Sequence, residues 1–158
     1  MTVEIIILLV FAVIIVIGAI FYKNSTLDKL EFLPNETIIS EVKKIRVEHI
    51  NKTRTTIFLN CIIRITNKRI IIAQKILFSD KFALRYIISY TENIEKNDFK
   101  KSMKQGYSIL TITKTSINLT IENEICSVEI IVPNFGIFGN SKILFNTDKY
   151  MELQKIFE

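Results

Sequence analysis

The chain has 158 residues, 49% of them hydrophobic and 23% charged, with a formal net charge of +5. That is enough for one ordinary domain with a real core. One His and two Cys exclude a nameable Cys/His metal cluster and a Ser-His-Asp or Cys-His catalytic arrangement. The first element is apolar throughout. Ile5 to Tyr22 reads IIILLVFAVIIVIGAIFY, 18 residues without a charge, an amide or a proline. At about 1.5 Å per residue a helix here would cover roughly 27 Å, close to a bilayer's hydrocarbon core. Residues 1–22 are therefore expected to form one transmembrane helix.

A cleaved signal peptide fits less well, because Glu4 stands where a basic start is needed and no small-residue cleavage pattern follows. Lys23 and Lys29 follow the apolar run and no basic residue precedes it. The positive-inside rule then places the chain in the cell membrane as a single-pass protein with its C-terminal domain in the cytoplasm. Residues 23–35 form a linker that extends at most about 45 Å, at roughly 3.3–3.6 Å per residue. Residues 36–158 form the domain.

Seven short strands are expected, at about 37–49, 56–66, 69–78, 84–90, 107–113, 116–122 and 125–132. β-Branched residues dominate them. Within the second run, Ile57, Leu59, Cys61, Ile63 and Ile65 alternate with a mixed set, which assigns all five to one core-facing side. The first run changes phase: Ile38 and Val42 share one face, whereas Ile45 and Val47 fall on the other, so a bulge or bend is expected near Lys43-Lys44. Cys61 and Cys126 lie in apolar strand-like runs, where a reduced buried thiol is expected. His49 ends the first strand, where an exposed imidazole is expected.

Thr91–Gln105 is the most polar stretch and reads as a long loop, with a short helix on Ile94, Phe99 and Met103 as the alternative. Asn134–Asn140 holds two of the four glycines and three large apolar side chains, Phe135, Ile137 and Phe138. It either contacts a bilayer or partner or folds back onto the core. Asn146-Thr147-Asp148 supplies capping side chains for a closing helix over 149–157, with Tyr150, Leu153 and Phe157 on one face.

Phe32–Ile39, followed by Asn60–Ile72 with its Thr66-Asn67-Lys68-Arg69, resembles the opening of GRAM and bacterial PH-like domains. Those domains begin with an L-x-x-E strand, then an apolar strand ending T-N-(K/R)-R. The resemblance implies a mainly β fold: a PH-like seven-stranded barrel capped by a C-terminal α-helix, here preceded by the transmembrane helix. Thr66, Asn67, Lys68 and Arg69 read mainly as a structural turn, with Asn67 tolerating left-handed backbone. The alternative makes Lys68 and Arg69 headgroup ligands.

Charge is uneven. Residues 43–104 carry 15 basic and 5 acidic residues, a net +10, whereas residues 105–158 carry 4 and 6, a net −2. A basic half suits an anionic partner. Lys44, Lys52 and Arg54, with Lys43 and Arg46 nearby, can be read onto the loose basic pattern of phosphoinositide-binding PH domains, which makes an anionic lipid a candidate ligand. No cofactor, metal or enzymatic activity is expected, and nucleic-acid binding is not. The leading expectation is a membrane-anchored, non-catalytic module that scaffolds an unknown protein partner at the cytoplasmic face. A peripheral sensor of anionic headgroups is the first alternative. An immunity-type or structural membrane protein is the second.

Overall fold

The computed structural model describes the backbone of Val3–Tyr22 and residues 26–90, 106–132 and 139–157. Val3–Tyr22 is helix α1, and the side chains from Glu4 to Val16 are exposed. Among the described residues, however, no helix is long and apolar enough to cross a membrane. The expected transmembrane anchor is not supported, and the single-pass placement drawn from it loses its basis.

The rest is mainly β. The strands are β1 (Ile38–Ile50), β2 (Thr55–Thr66), β3 (Arg69–Lys75), β4 (Phe82–Ser89), β5 (Ser108–Thr111), β6 (Ile117–Glu122), β7 (Ile125–Val132) and β8 (Ser141–Thr147). A final helix, α2, spans Tyr150–Phe157. All eight strands form one sheet, in the order β5-β4-β3-β2-β1-β8-β7-β6, curled into a half-barrel. Each pairing is antiparallel except that of β4 with β5.

β8 is an additional strand beyond the seven expected: Ser141–Phe145 carried no assignment and Asn146-Thr147 read as part of a helix cap, yet the strand joins β1 to β7 and so links the two halves of the sheet. The expected third strand is shorter: β3 stops at Lys75, and Ile76–Phe78 turn into β4.

Inside the curl, Ile63, Ile65, Ile70, Ile72, Ile88, Val128, Ile130 and Ile143 pack into one core, which Leu153 and Ile156 of α2 complete. At roughly 25 cal/mol per Å² of apolar area, each such side chain contributes about 1.5–3 kcal/mol. The outer face of β2–β5 carries a second cluster, Ile62, Ile71, Ala73, Leu84, Ile87 and Ile109, covered by Leu27. Burial on both faces explains why these strands read as nearly continuous apolar runs.

Bulges decide which residues face inward. Lys44 has φ +60° and the β1–β2 register shifts between Lys43 and Val47, which is the phase change that the sequence shows near Lys43-Lys44. A second break falls at Asn60, with φ +54°. Cys61 pairs with Ile45 and Phe58 with Val47, so β2 carries an extra residue. Beyond it the alternation flips. Phe58 turns toward the core, whereas Ile57 and Leu59, both assigned to the core face, are exposed. Asn tolerates this conformation at low cost, whereas a β-branched residue does not. Asn60→Val is expected to destabilise the protein by about 1–2 kcal/mol and Asn60→Gly by much less, as urea unfolding midpoints would show.

His49 corrects another expectation. It is buried, its Nδ1 2.9 Å from the Tyr86 hydroxyl and its ring edge-on to Tyr86. Burial lowers the imidazole pKa below its ordinary 6.5 and pushes the Tyr86 phenol up to about 12. The last strand residues count as exposed only when nothing crosses them, and here β8 runs alongside, pairing Ile143 with His49. Cys61 and Cys126 are buried free thiols, and burial raises Cys61 to about 11.

Candidate interaction surface

The Thr66–Arg69 turn is densely hydrogen-bonded. The Thr66 hydroxyl accepts from the amides of Lys68 and Arg69, at 3.1 and 2.9 Å, and donates to the Glu36 carboxylate at 2.7 Å. Arg69 grips Glu36 through Nε and Nη2, each 2.8 Å from a carboxylate oxygen, and Nη2 reaches the Glu31 carbonyl at 2.7 Å. Asn67 accepts from the Thr37 amide and donates to the Asn35 carbonyl, both at 3.0 Å. Lys68 donates to the Pro34 carbonyl, and the Tyr90 hydroxyl to the Thr66 carbonyl.

All four side chains are thus turned onto 31–37 or back onto the turn itself, stitching the segment before β1 to the β2–β3 connection. Lys68 and Arg69 spend their donors on protein carbonyls and a carboxylate. The left-handed residue is Asn35, with φ +57°, and not Asn67.

The five basic residues proposed as headgroup ligands fall into two groups. Lys43, Lys44 and Arg46 lie within β1, whereas Lys52 and Arg54 lie in the turn that follows it. From Lys44 to Lys52 the chain advances about 25 Å, at roughly 3.3 Å per residue. Lys43 pairs with Glu41 at 3.2 Å and Arg46 with Glu48 at 2.8 Å. In the β1–β2 turn, Asn51 Oδ1 accepts from the Thr53 and Arg54 amides at 3.0 and 2.8 Å, so the asparagine side chain fixes the backbone and leaves the cations to solvent.

Antiparallel connectivity gathers three connections at that end of the sheet. The β1–β2 and β3–β4 turns lie at the same end because β1 and β3 run the same way. The β7–β8 connection joins them, because Lys142 at the start of β8 pairs with Ile50 at the end of β1. Gly139 sits so close that a Cβ there would lie 3.4 Å from the Lys52 Cε. Phe135, Ile137 and Phe138 of this connection, and the stretch 91–105, lie outside the described residues.

The apolar side chains at this end carry no signal in the sequence pattern. Leu77 is 82% exposed and Phe78 fully exposed, and Ile57 and Leu59 of neighbouring β2 are exposed as well. Phe78 holds φ +58°. Lys52 and Arg54 lie in the β1–β2 turn and Lys75 and Lys81 flank the β3–β4 turn at this same end, where Asp80 stands 3.9 Å from Lys75. A strand pattern running to residue 78 would have buried alternate members of Ile76-Leu77-Phe78. Only the early turn at Ile76, where the Ser79 amide donates to the Ile76 carbonyl, puts both Leu77 and Phe78 into solvent.

No family model, curated protein or solved structure matches this chain. The resemblance of Phe32–Ile39 and Asn60–Ile72 to GRAM and bacterial PH-like domains is therefore not upheld as family membership. What the turn motif does here is explained by its own bonds to Glu31, Pro34, Asn35, Glu36 and Thr37. What stands is the class of molecule: a mainly β protein with an eight-stranded half-barrel sheet and a C-terminal helix.

Proposed function

We propose that this protein is a non-catalytic interaction module that holds a protein partner on the end of the sheet formed by the β1–β2 and β3–β4 turns. The observation that carries the reading is Phe78. It is fully exposed, in a backbone conformation that costs a bulky residue about 1 kcal/mol, so folding stability does not account for it. Exposed aromatic side chains among cations are the composition of binding hot spots. The curled sheet, with α2 filling its open side, acts as a rigid barrel-like frame for the turns.

A photo-crosslinking amino acid at position 78 of the full chain tests this in cells. A discrete protein adduct that disappears when Leu77 is changed to Asp supports the reading, and the absence of any protein adduct overturns it. Phe78→Asn is expected to keep or raise stability by up to about 1 kcal/mol, because Asn accepts a left-handed backbone, while losing the partner. A parallel urea titration separates the two effects.

A second reading is favoured by Lys52 and Arg54 in the β1–β2 turn and Lys75 and Lys81 flanking the β3–β4 turn, at the same end of the sheet as Phe78: this end takes anionic lipid headgroups. Each basic residue near such a surface contributes roughly 1 kcal/mol, and an exposed Phe adds apolar burial. Flotation of the full chain and of a Lys52→Glu, Arg54→Glu variant with anionic vesicles decides it. Charge reversal should abolish any salt-sensitive binding, and unchanged binding of the variant would remove this reading.

A further inference from the structure

β1 and β8 part company half-way along. Their pairing runs from Ile50–Lys142 to Val47–Phe145 and stops. Continued in register, Arg46 would meet Asn146 and Ile45 would meet Thr147. Instead the positive φ of Lys44 and the register shifts around it bend β1 away. The strands enclose a wedge with two adjoining open grooves of about 660 and 320 Å³. Glu41, Val42, Lys43 and Ile45 of β1 form one bank of the larger groove, and Asn146–Lys149 with Ile125 form the other; Lys44 lines the smaller groove, beside Ile45 and Arg46.

Among the described residues, Ile38–Arg46 have a strand partner on the β2 side only. The opposite edge presents backbone donors and acceptors to the wedge. An unpaired edge is a template for another extended chain. The wedge also has side-chain chemistry. Ile45, which lines both grooves, and the half-exposed Ile125 offer apolar contact, and Lys44 in the smaller groove has no carboxylate partner among the described residues, unlike Lys43 and Arg46.

We infer that the open edge of β1 takes up an extended segment of a protein partner by strand addition. Apolar side chains of that segment lie against Ile45 and Ile125, and an acidic one lies at Lys44. The inference rests on reading the chain as an interaction module, but not on the turn end proposed above. Main-chain pairing supplies affinity, and the apolar–acidic alternation supplies selectivity.

The test is an array of short synthetic peptides in which Val alternates with Glu, Ser or Lys, offered to the full chain, with nuclear magnetic resonance mapping of the contacts. Val-Glu peptides should bind best and shift the amides of Val42–Arg46 and Asn146–Thr147. N-methylation of the peptide nitrogens that face β1 removes those donors and should weaken binding about tenfold or more. Lys44→Glu sits on an exposed position and should reverse the preference toward Val-Lys peptides. Failure of every peptide to bind, or binding that survives N-methylation, overturns the inference. Shifts confined to residues 51–54 and 76–81 overturn it too while leaving the interaction-module reading intact. Edge binding without a protein adduct at position 78 would leave the edge standing and remove the turn end.

Discussion

Replacing Glu36 by Ala is expected to destabilise the protein by about 3–5 kcal/mol, a large part of the stability of an ordinary domain. The Glu36 side chain is 0% exposed and that of Arg69 8%, so the pair is shielded from water. Loss of the carboxylate leaves the guanidinium buried without its counter-charge and orphans the Leu33 amide, which donates to Glu36 at 2.7 Å. Glu36→Gln should cost less than Ala but still most of this amount, because one amide oxygen cannot replace two charged acceptors. Glu36→Ala combined with Arg69→Met should recover part of the loss, because the stranded charge is then gone.

The same carboxyl predicts a pH dependence. Burial pushes its pKa up, but the hydrogen bonds from Arg69, the Leu33 amide and Thr66 together outweigh burial and hold it below the ordinary 4.5. The native state therefore binds this proton less readily than the unfolded chain. Its stabilisation is complete above about 4.5 and is lost as the pH falls through the lower native value. Urea midpoints followed into acid should fall more steeply for the wild type than for Glu36→Ala. Equal slopes would show that Glu36 is not the group responsible.

Leu153→Ala is expected to cost about 2–5 kcal/mol. Leu153 is fully buried and, with Ile156, ties α2 to the inner core. Helix α2 has only 8 residues, well below the length at which a helix holds by itself, so packing alone keeps it formed. Deleting the Leu153 side chain both leaves a cavity and releases the helix that fills the open side of the curl. Met151→Ala on the exposed side of the same helix should stay within about 0.5 kcal/mol. Similar losses for both variants would mean that α2 does not seal the core. A urea slope reduced in Leu153→Ala alone would show that the helix has detached before the sheet unfolds.

The local features of the fold were legible because strands and helices write their period into the residues that form them. The β-rich runs at 116–122 and 125–132 are visible in the chain and form β6 and β7; the alternation of Ile117 and Leu119 is kept, although Ile121 is exposed. The bend at Lys43-Lys44 was legible too, because a phase change within one strand is itself a local pattern. The closing helix was found from Tyr150, Leu153 and Phe157, although Ile156 shares the burial with Leu153.

β8 was hidden because Lys142, Asn146 and Thr147 are polar and their neighbour Asp148 invites a helix cap. Only pairing with β1 and β7 makes Ser141–Thr147 a strand. The candidate surface was legible only in its charge. Lys52 and Arg54 stood out as cations, but nothing in Ile76-Leu77-Phe78 distinguishes a strand end from an exposed turn.

The sequence by itself therefore determined a mainly β domain, a C-terminal helix, reduced cysteines in apolar strands and a basic half. Tertiary structure decided that Ile57 and Leu59 face water, that His49 is buried, that Arg69 is spent on Glu36, and that β1 splits from β8. The physical reason is common to all four. Each depends on which strand lies alongside another and in what register, and a single left-handed residue such as Lys44 or Asn60 resets that register for everything beyond it.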